Sequence, residues 1–240
     1  MSLLGQRVVR EHPQAVAEEV ASWVADAAQR AVVDHGSFSI ALAGGSTPRL
    51  LYDALAGPVW RDRVEWPAWR VYFGDERACP ADDPSSNYHL AETTLLSRVA
   101  IDPTRVHRMP ADRADLDAAS LEYSALLATS LPAAAGGAPR LDVVLLGLGE
   151  NGHTASLFPG TPALHVIDRW ATRGLADYAP YDRMTLTFPA INAAAAVGFM
   201  VTGAAKVPAL AATARGEVPA SRVNPADGVL FWFLDAAAAS

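Results

Sequence analysis

The hydrophobic positions of this chain fall into two alternating rhythms. Val16, Val20, Trp23, Val24, Ala27 and Ala31 recur at steps of three and four, the spacing of one helix face, and predict an amphipathic N-terminal helix. Elsewhere the apolar residues gather into short, nearly continuous runs: Ser37 to Ala43, Arg70 to Phe73, Leu141 to Leu146, Met184 to Thr187, Val197 to Thr202 and Val229 to Leu234. Runs this short and this uninterrupted read as strands buried on both faces. Helical stretches lie between them, at Arg49 to Ala56, from Asn87 to about Leu96, at Asp115 to Thr129 and from about Lys206 to Arg215.

Strands alternating with helices imply parallel pairing with helices covering both faces of the sheet. The predicted fold is therefore α/β, a doubly wound, Rossmann-like three-layer sandwich with a mostly parallel sheet. The flexible stretch Ala133 to Pro139 reads as a surface connection, because strand signals resume at once, and no internal repeat or heptad is visible. Residues 1–240 are expected to form a single domain.

Composition narrows the partners. With 51% hydrophobic residues there is ample material for a core, and the net charge of −7 disfavours nucleic acid, whose phosphate backbone wants a basic face. A small anion is not excluded, since a few converging cations can make one pocket positive on an acidic protein. Cys79 is the single cysteine, so no intrachain disulfide forms, in keeping with a reducing compartment. The opening residues lack the apolar core of a signal peptide, and Ala190 to Ala205 is shorter than the ~20 apolar residues of a spanning helix. A cytoplasmic protein with no membrane association is expected, as a monomer or weak homodimer.

Candidate chemistry sits where strands give way to glycine-marked polar segments, the place where ligands bind in doubly wound sheets. Gly44-Gly45-Ser46-Thr47-Pro48 joins a strand to a helix N-terminus. It is either a tight capping turn or a loop whose free N–H groups and hydroxyls face an anion. It is not a Walker loop, as no Gly-Lys-Ser/Thr follows. Gly74-Asp75-Glu76-Arg77, with Ser86-Asn87 downstream, is either a surface ion pair or a site where Asp75 orients a hydroxyl and Arg77 binds phosphate.

Gly147-Leu148-Gly149-Glu150-Asn151-Gly152-His153 mimics a dinucleotide fingerprint. Pro159 and Pro162 interrupt the helix that such a fingerprint needs, and Asp168 falls short of the usual ~20-residue spacing to the ribose ligand. His153 is the stronger lead, because a neutral imidazole in a polar turn can take a proton from water. No second histidine lies at zinc-site spacing and no G-x-S-x-G elbow is present, so neither a metal nor a serine nucleophile is expected. Lys206, past a strand end, and Arg183, before one, are further cations.

Taken in order, Ala43 to Pro48, Phe73 to Arg77, Ser86 to Tyr88, Gly149 to Pro159, Arg183 to Thr187 and Gly203 to Lys206 resemble the 6-phosphogluconolactonases, members of a family shared with the glucosamine-6-phosphate deaminases. The resemblance runs from about residue 40 to residue 235. It implies hydrolysis of 6-phosphogluconolactone in the oxidative pentose phosphate pathway, without cofactor. In that reading His153 is the general base, with Asn151 and Asp75 beside it. The phosphate would be held by Gly44, Gly45, Ser46, Thr47, Arg77 and Lys206, with Asn87 and Arg183 nearby.

One position departs from the family, which usually has aspartate where this chain has Asn151. An amide can fix the imidazole tautomer but stabilises an imidazolium less than a carboxylate does; either a weaker base suffices, lactone hydrolysis being easier than amide cleavage, or Asp75 or Glu150 supplies the missing charge. The deaminases carry glutamate five residues after the histidine and tyrosine at the position of Arg77; here Phe158 and Arg77 favour the lactonases. The alternatives are a glucosamine-6-phosphate deaminase or a non-catalytic sugar-phosphate sensor.

Overall fold

The computed structural model of the chain describes residues 3–240, and in it the buried apolar runs become the centre of a parallel sheet. In chain order the elements are β1 (Gln6–Arg10), α1 (Pro13–His35), β2 (Phe38–Leu42), α2 (Ser46–Leu55), β3 (Trp69–Phe73), β4 (Asp75–Arg77), α3 (Asn87–Thr94), α4 (Leu116–Ser130), β5 (Val143–Leu146), β6 (Ala171–Leu175), β7 (Asp182–Leu186), α5 (Phe188–Asn192), β8 (Ala196–Val201), α6 (Val207–Arg215) and β9 (Val229–Asp235). Six strands pair in the order β1-β9-β8-β5-β2-β3, every neighbouring pair parallel. Every residue of β2, β5 and β8 is buried, which is why their sequences show no polar alternation.

The alternation of side chains along β9 divides the layers. Phe231 and Phe233 face Trp23 of α1, whose ring centroid lies 5.4 and 5.2 Å from theirs. Trp232, between them, points the other way and stacks on Phe199 of β8 at 4.0 Å. Burying aromatic surface of this kind contributes about 1.5–3 kcal/mol per side chain. Caps stop the helices where the sequence signals them. Pro13 opens α1, and Gly36 ends it at φ 79, its N–H returning to Val32 O. Asp115 accepts the Ala118 N–H at the start of α4.

Two features depart from the sequence reading. The run Met184 to Thr187, expected among the parallel strands, belongs to β7, the centre of a separate antiparallel sheet ordered β4-β7-β6. The edge strand β1 and the strand β6 also escaped notice, because their sequences, QRVVR and ATRGL, carry charge or glycine where a buried strand would carry apolar side chains. Gly74 is the junction of the two sheets. Its N–H donates to Leu42 O in the parallel sheet, and its carbonyl accepts the Leu186 N–H in the antiparallel one, both at 2.8 Å. The short ribbon is thereby fixed over the carboxyl edge of the main sheet.

Candidate active site

From β2 the chain proceeds to β3 on one side, whereas β5 sits on the other and leads away to β8 and β9. The loops after β2 and β5 therefore diverge, and a crevice opens between them at the carboxyl ends of the strands. Gly44 and Gly45 line it after β2, Gly147 and Gly149 after β5, and Asp75 and Arg77 from the ribbon. His153, Tyr178 and Lys206 complete its rim.

The histidine wall is a turn closed on itself. The Gly149 N–H donates to His153 O at 2.9 Å, the Gly152 N–H to Gly149 O at 3.0 Å, and the Thr154 hydroxyl to Gly147 O at 3.0 Å. Two of its glycines are sterically required. A Cβ on Gly149 would fall 2.0 Å from His153 Nδ1, and Gly152 combines φ 78 with a contact that would bring a Cβ to 2.3 Å from Val218. Ala155, at φ 47, holds a left-handed conformation uncommon for a residue with a side chain, at a point where the backbone borders the cleft.

His153 stacks on Phe158, with ring centroids 3.9 Å apart. Its Nδ1 lies 2.6 Å from Asn151 Oδ1, and Asn151 Nδ2 in turn donates to Asp177 Oδ2 at 2.9 Å. Since an amide oxygen only accepts, Nδ1 carries the proton. Nε2, with no hydrogen-bond partner among the described residues, keeps its lone pair. Burial pushes the imidazole pKa down from 6.5 to about 4; Asp75 and Asp177 pull it back up, while Lys206 and Arg183 push it further down. The ring is neutral at physiological pH.

The opposite wall is built by the period of β4. Asp75 and Arg77 face the cleft, and Glu76 between them points away. The Glu76 carboxylate accepts the backbone N–H groups of Asn87, Tyr88 and Arg77 and the Ser86 hydroxyl, which anchors the N-terminus of α3. Burial pushes its pKa up against those donors. Asp75 accepts from the Ser156 hydroxyl at 2.5 Å and from Asn87 Nδ2 at 3.0 Å. It thus ties the ribbon both to the histidine turn and to α3. Gly44 must be glycine for the same packing, as a Cβ there would meet Asn87 Oδ1 at 1.7 Å.

The cations of this wall form no salt bridge among the described residues and leave several donors unpartnered. Arg77 and Arg183 are opposite each other in the β4–β7 register, and Arg183 is 1% exposed with its guanidinium 5.2 Å from the Tyr178 ring centroid. Arg77 donates from Nη1 to Ser85 O. Arg77 Nε, and Nε and Nη2 of Arg183, are buried with no hydrogen-bond partner among the described residues. Burial and the neighbouring Arg77 lower the Arg183 pKa, although a guanidinium stays charged. A buried guanidinium beside a half-buried one, both with unspent donors, is costly unless an anion fills the gap.

The crevice brings together Gly44, Gly45, Asp75, Arg77, His153 and Lys206, all singled out from the sequence. Ser46 and Thr47 instead form the first residues of α2, and the Thr47 hydroxyl bonds Thr202 at 2.8 Å. Asn87 positions Asp75. Asp75 does supply negative charge to the imidazole, as one of the two sequence candidates, and Asp177, from the β6–β7 turn, is a second carboxylate that reaches Asn151 directly. Asp177 and Tyr178 went unnoticed because β6 was not recognised as a strand. A hairpin reading of Thr172 to Leu186 around the polar turn would have brought them to the cleft.

Fold and site define an α/β protein whose switch-point crevice sets an open imidazole against the cations Arg77 and Lys206, with Arg183 buried beside Arg77 and outside the crevice lining. A family model described as glucosamine-6-phosphate isomerases/6-phosphogluconolactonase matches residues 11–232. The chain belongs to that family. It is 43% identical over 211 residues to a 6-phosphogluconolactonase of Synechocystis sp., covering 86% of this chain and 85% of that one. A 6-phosphogluconolactonase of Nostoc sp. is 44% identical over 212 residues, covering 87% and 86%. The solved 6-phosphogluconolactonase from Trypanosoma brucei superposes with a TM-score of 0.87 at 29% identity, over 99% of this chain and 98% of that one. A monomeric glucosamine-6-phosphate deaminase, at 20% identity and TM-score 0.82 over 98% of each chain, shares the fold.

Proposed function

We propose that this chain is an enzyme that hydrolyses 6-phospho-D-glucono-1,5-lactone to 6-phosphogluconate in the pentose phosphate pathway, with His153 as general base. The observation that carries the mechanism is the neutral imidazole, its Nε2 open, in the same crevice as Arg77 and Lys206. The phosphate of the substrate takes up the donors of Arg77 and Arg183, with Lys206 as a further cation, and this anchoring spends binding energy on placing the lactone carbonyl beside His153. Nε2 accepts a proton from water as the water oxygen bonds C1. The carbonyl electrons move to oxygen, giving a tetrahedral oxyanion. When that collapses, the bond from C1 to the ring oxygen breaks and the imidazolium returns its proton to the ring oxygen, leaving an open-chain carboxylic acid that loses its proton to solvent and departs as the carboxylate.

Phe158, flat against the imidazole, supports this reading over a deaminase. It fills the position from which the resemblance expects a glutamate to assist sugar-ring opening. The enzyme works as one catalytic domain in the cytoplasm, as a monomer or weak homodimer, without metal or cofactor and without nucleic acid as a partner. Among the described residues no helix is long and apolar enough to cross a membrane.

The test generates the lactone in situ with glucose-6-phosphate dehydrogenase and follows the product through excess 6-phosphogluconate dehydrogenase, against the spontaneous rate. A clear acceleration, abolished in His153→Ala, is expected. Ammonia release from glucosamine 6-phosphate without lactone turnover would replace this reading by the deaminase, and lactone binding without turnover by the sensor.

A further inference from the structure

We propose that Asp177, acting through the Asn151 side chain, decides which imidazole nitrogen of His153 carries the proton, and so serves as a positioning residue for the hydrolysis. The inference rests on the functional reading above and adds a residue to it.

The argument runs along one chain of donors and acceptors. An ionised carboxylate can only accept hydrogen bonds, so the Asn151 atom facing Asp177 at 2.9 Å must be the NH2 group. That fixes the other end of the planar amide. Its Oδ1 then faces His153, where it takes both the ring Nδ1–H at 2.6 Å and the backbone N–H at 3.1 Å. With the proton held on Nδ1, the lone pair is on Nε2, the form that can deprotonate water. A flipped amide would offer an N–H to Nδ1, draw the lone pair there and put the proton on Nε2, the form that cannot.

Asn151 and Asp177 are therefore a matched pair. A carboxylate at 151 would orient the imidazole by itself, but it would stand about 3 Å from Asp177, and two such carboxylates cannot both ionise without penalty. The amide avoids that conflict and passes the orienting effect on. The other charged groups around the ring are Asp75 of β4, Arg183 of β7 and Lys206 ahead of α6. All of them, and the His153 backbone N–H that also holds Asn151 Oδ1 toward the ring, stay in place when Asp177 is changed, so what Asp177 adds to that orientation can be isolated.

The experiment uses the full chain with 15N-labelled imidazole. At neutral pH the wild-type His153 is expected to show a single tautomer, protonated at Nδ1. In Asp177→Ala a population protonated at Nε2 should appear, with kcat down about tenfold or more and KM within about twofold, the loss expected for one charge-assisted hydrogen bond. Asp177→Asn, which retains an acceptor oxygen, should recover most of the rate. In an Asn151→Asp background the sign should reverse, removal of Asp177 raising kcat by relieving repulsion. Asp177 lies in an exposed turn, and circular dichroism checks that each variant is folded. An Asp177→Ala protein with wild-type kcat and an unmixed Nδ1–H tautomer would overturn the proposal. If His153→Ala itself retained the wild-type rate, it is the functional reading that would fall.

Discussion

On the histidine wall of the crevice the polar groups partner one another, whereas on the arginine wall several buried donors are left without a partner among the described residues. The turn from Gly147 to Phe158 closes through its own backbone, and the imidazole is fixed by Asn151 on one side and Phe158 on the other. Across the gap, Arg77 Nε, Arg183 Nε and Nη2, and Asn87 Oδ1 are buried and unsatisfied among the described residues. The proposed role of His153 as base requires it to be in position before substrate arrives, and its surroundings are complete. A binding wall can leave its donors unspent, because the ligand supplies what is missing and the deficit becomes affinity.

The largest expected effect tests the complete wall. His153→Ala should lower kcat by about 10²–10⁴-fold, the usual range for losing a general base, while KM and the thermal midpoint move little. A variant that lost phosphate binding as well would show that the two walls are not separable. On the other wall the pattern should invert. Arg77→Ala or Arg183→Leu should raise KM about 10- to 100-fold, as expected for lost charge-assisted hydrogen bonds, with a smaller change in kcat. Arg183→Leu should also leave the unliganded protein as stable as wild type or more so, because it removes a buried, unneutralised charge. Thermal unfolding with and without inorganic phosphate checks this: phosphate should stabilise the wild type clearly more than the variant.

Gly149→Ala sharpens the comparison at a single atom. The added methyl would meet the His153 ring, so the ring must shift; kcat should fall about tenfold or more, with KM nearly unchanged. The smallest effect is on pH dependence. The base works when neutral, so activity disappears as pH falls through its pKa, here about 4 instead of 6.5. The rate at pH 5.5 should therefore remain within about twofold of that at pH 7.5. Stability moves in the same direction, because a histidine depressed in the folded state loses its contribution as pH falls from 6.5 towards 4. An acid limb near pH 6.5 would mean that the imidazole is far better solvated than the closed turn allows.

Much of this arrangement is legible along the chain, and the exceptions share a cause. The buried strands β2, β5 and β8 announce themselves because both of their faces are apolar, and the glycine-marked turns that follow mark the carboxyl edge of the sheet. Gly44, Asp75, Arg77, His153 and Lys206 could be picked out from those positions before their convergence was visible. The antiparallel ribbon was not legible as a sheet. β4 is three residues of charge, and β6 carries an exposed arginine at its centre and a glycine beside it. The register of β4 against β7 sets Arg77 opposite Arg183, and the β6–β7 turn delivers Asp177 and Tyr178.

The sequence by itself determined the class of fold and marked His153 as the candidate base, since hydrophobic period and strand-end glycines are local properties that pattern alone can carry. Tertiary structure decided which carboxylate serves Asn151, which arginine lies beside Arg77, and how far the His153 pKa is pushed down. Each of these depends on distances between segments tens of residues apart, and on how much water their packing removes; neither quantity is written in any one stretch of chain.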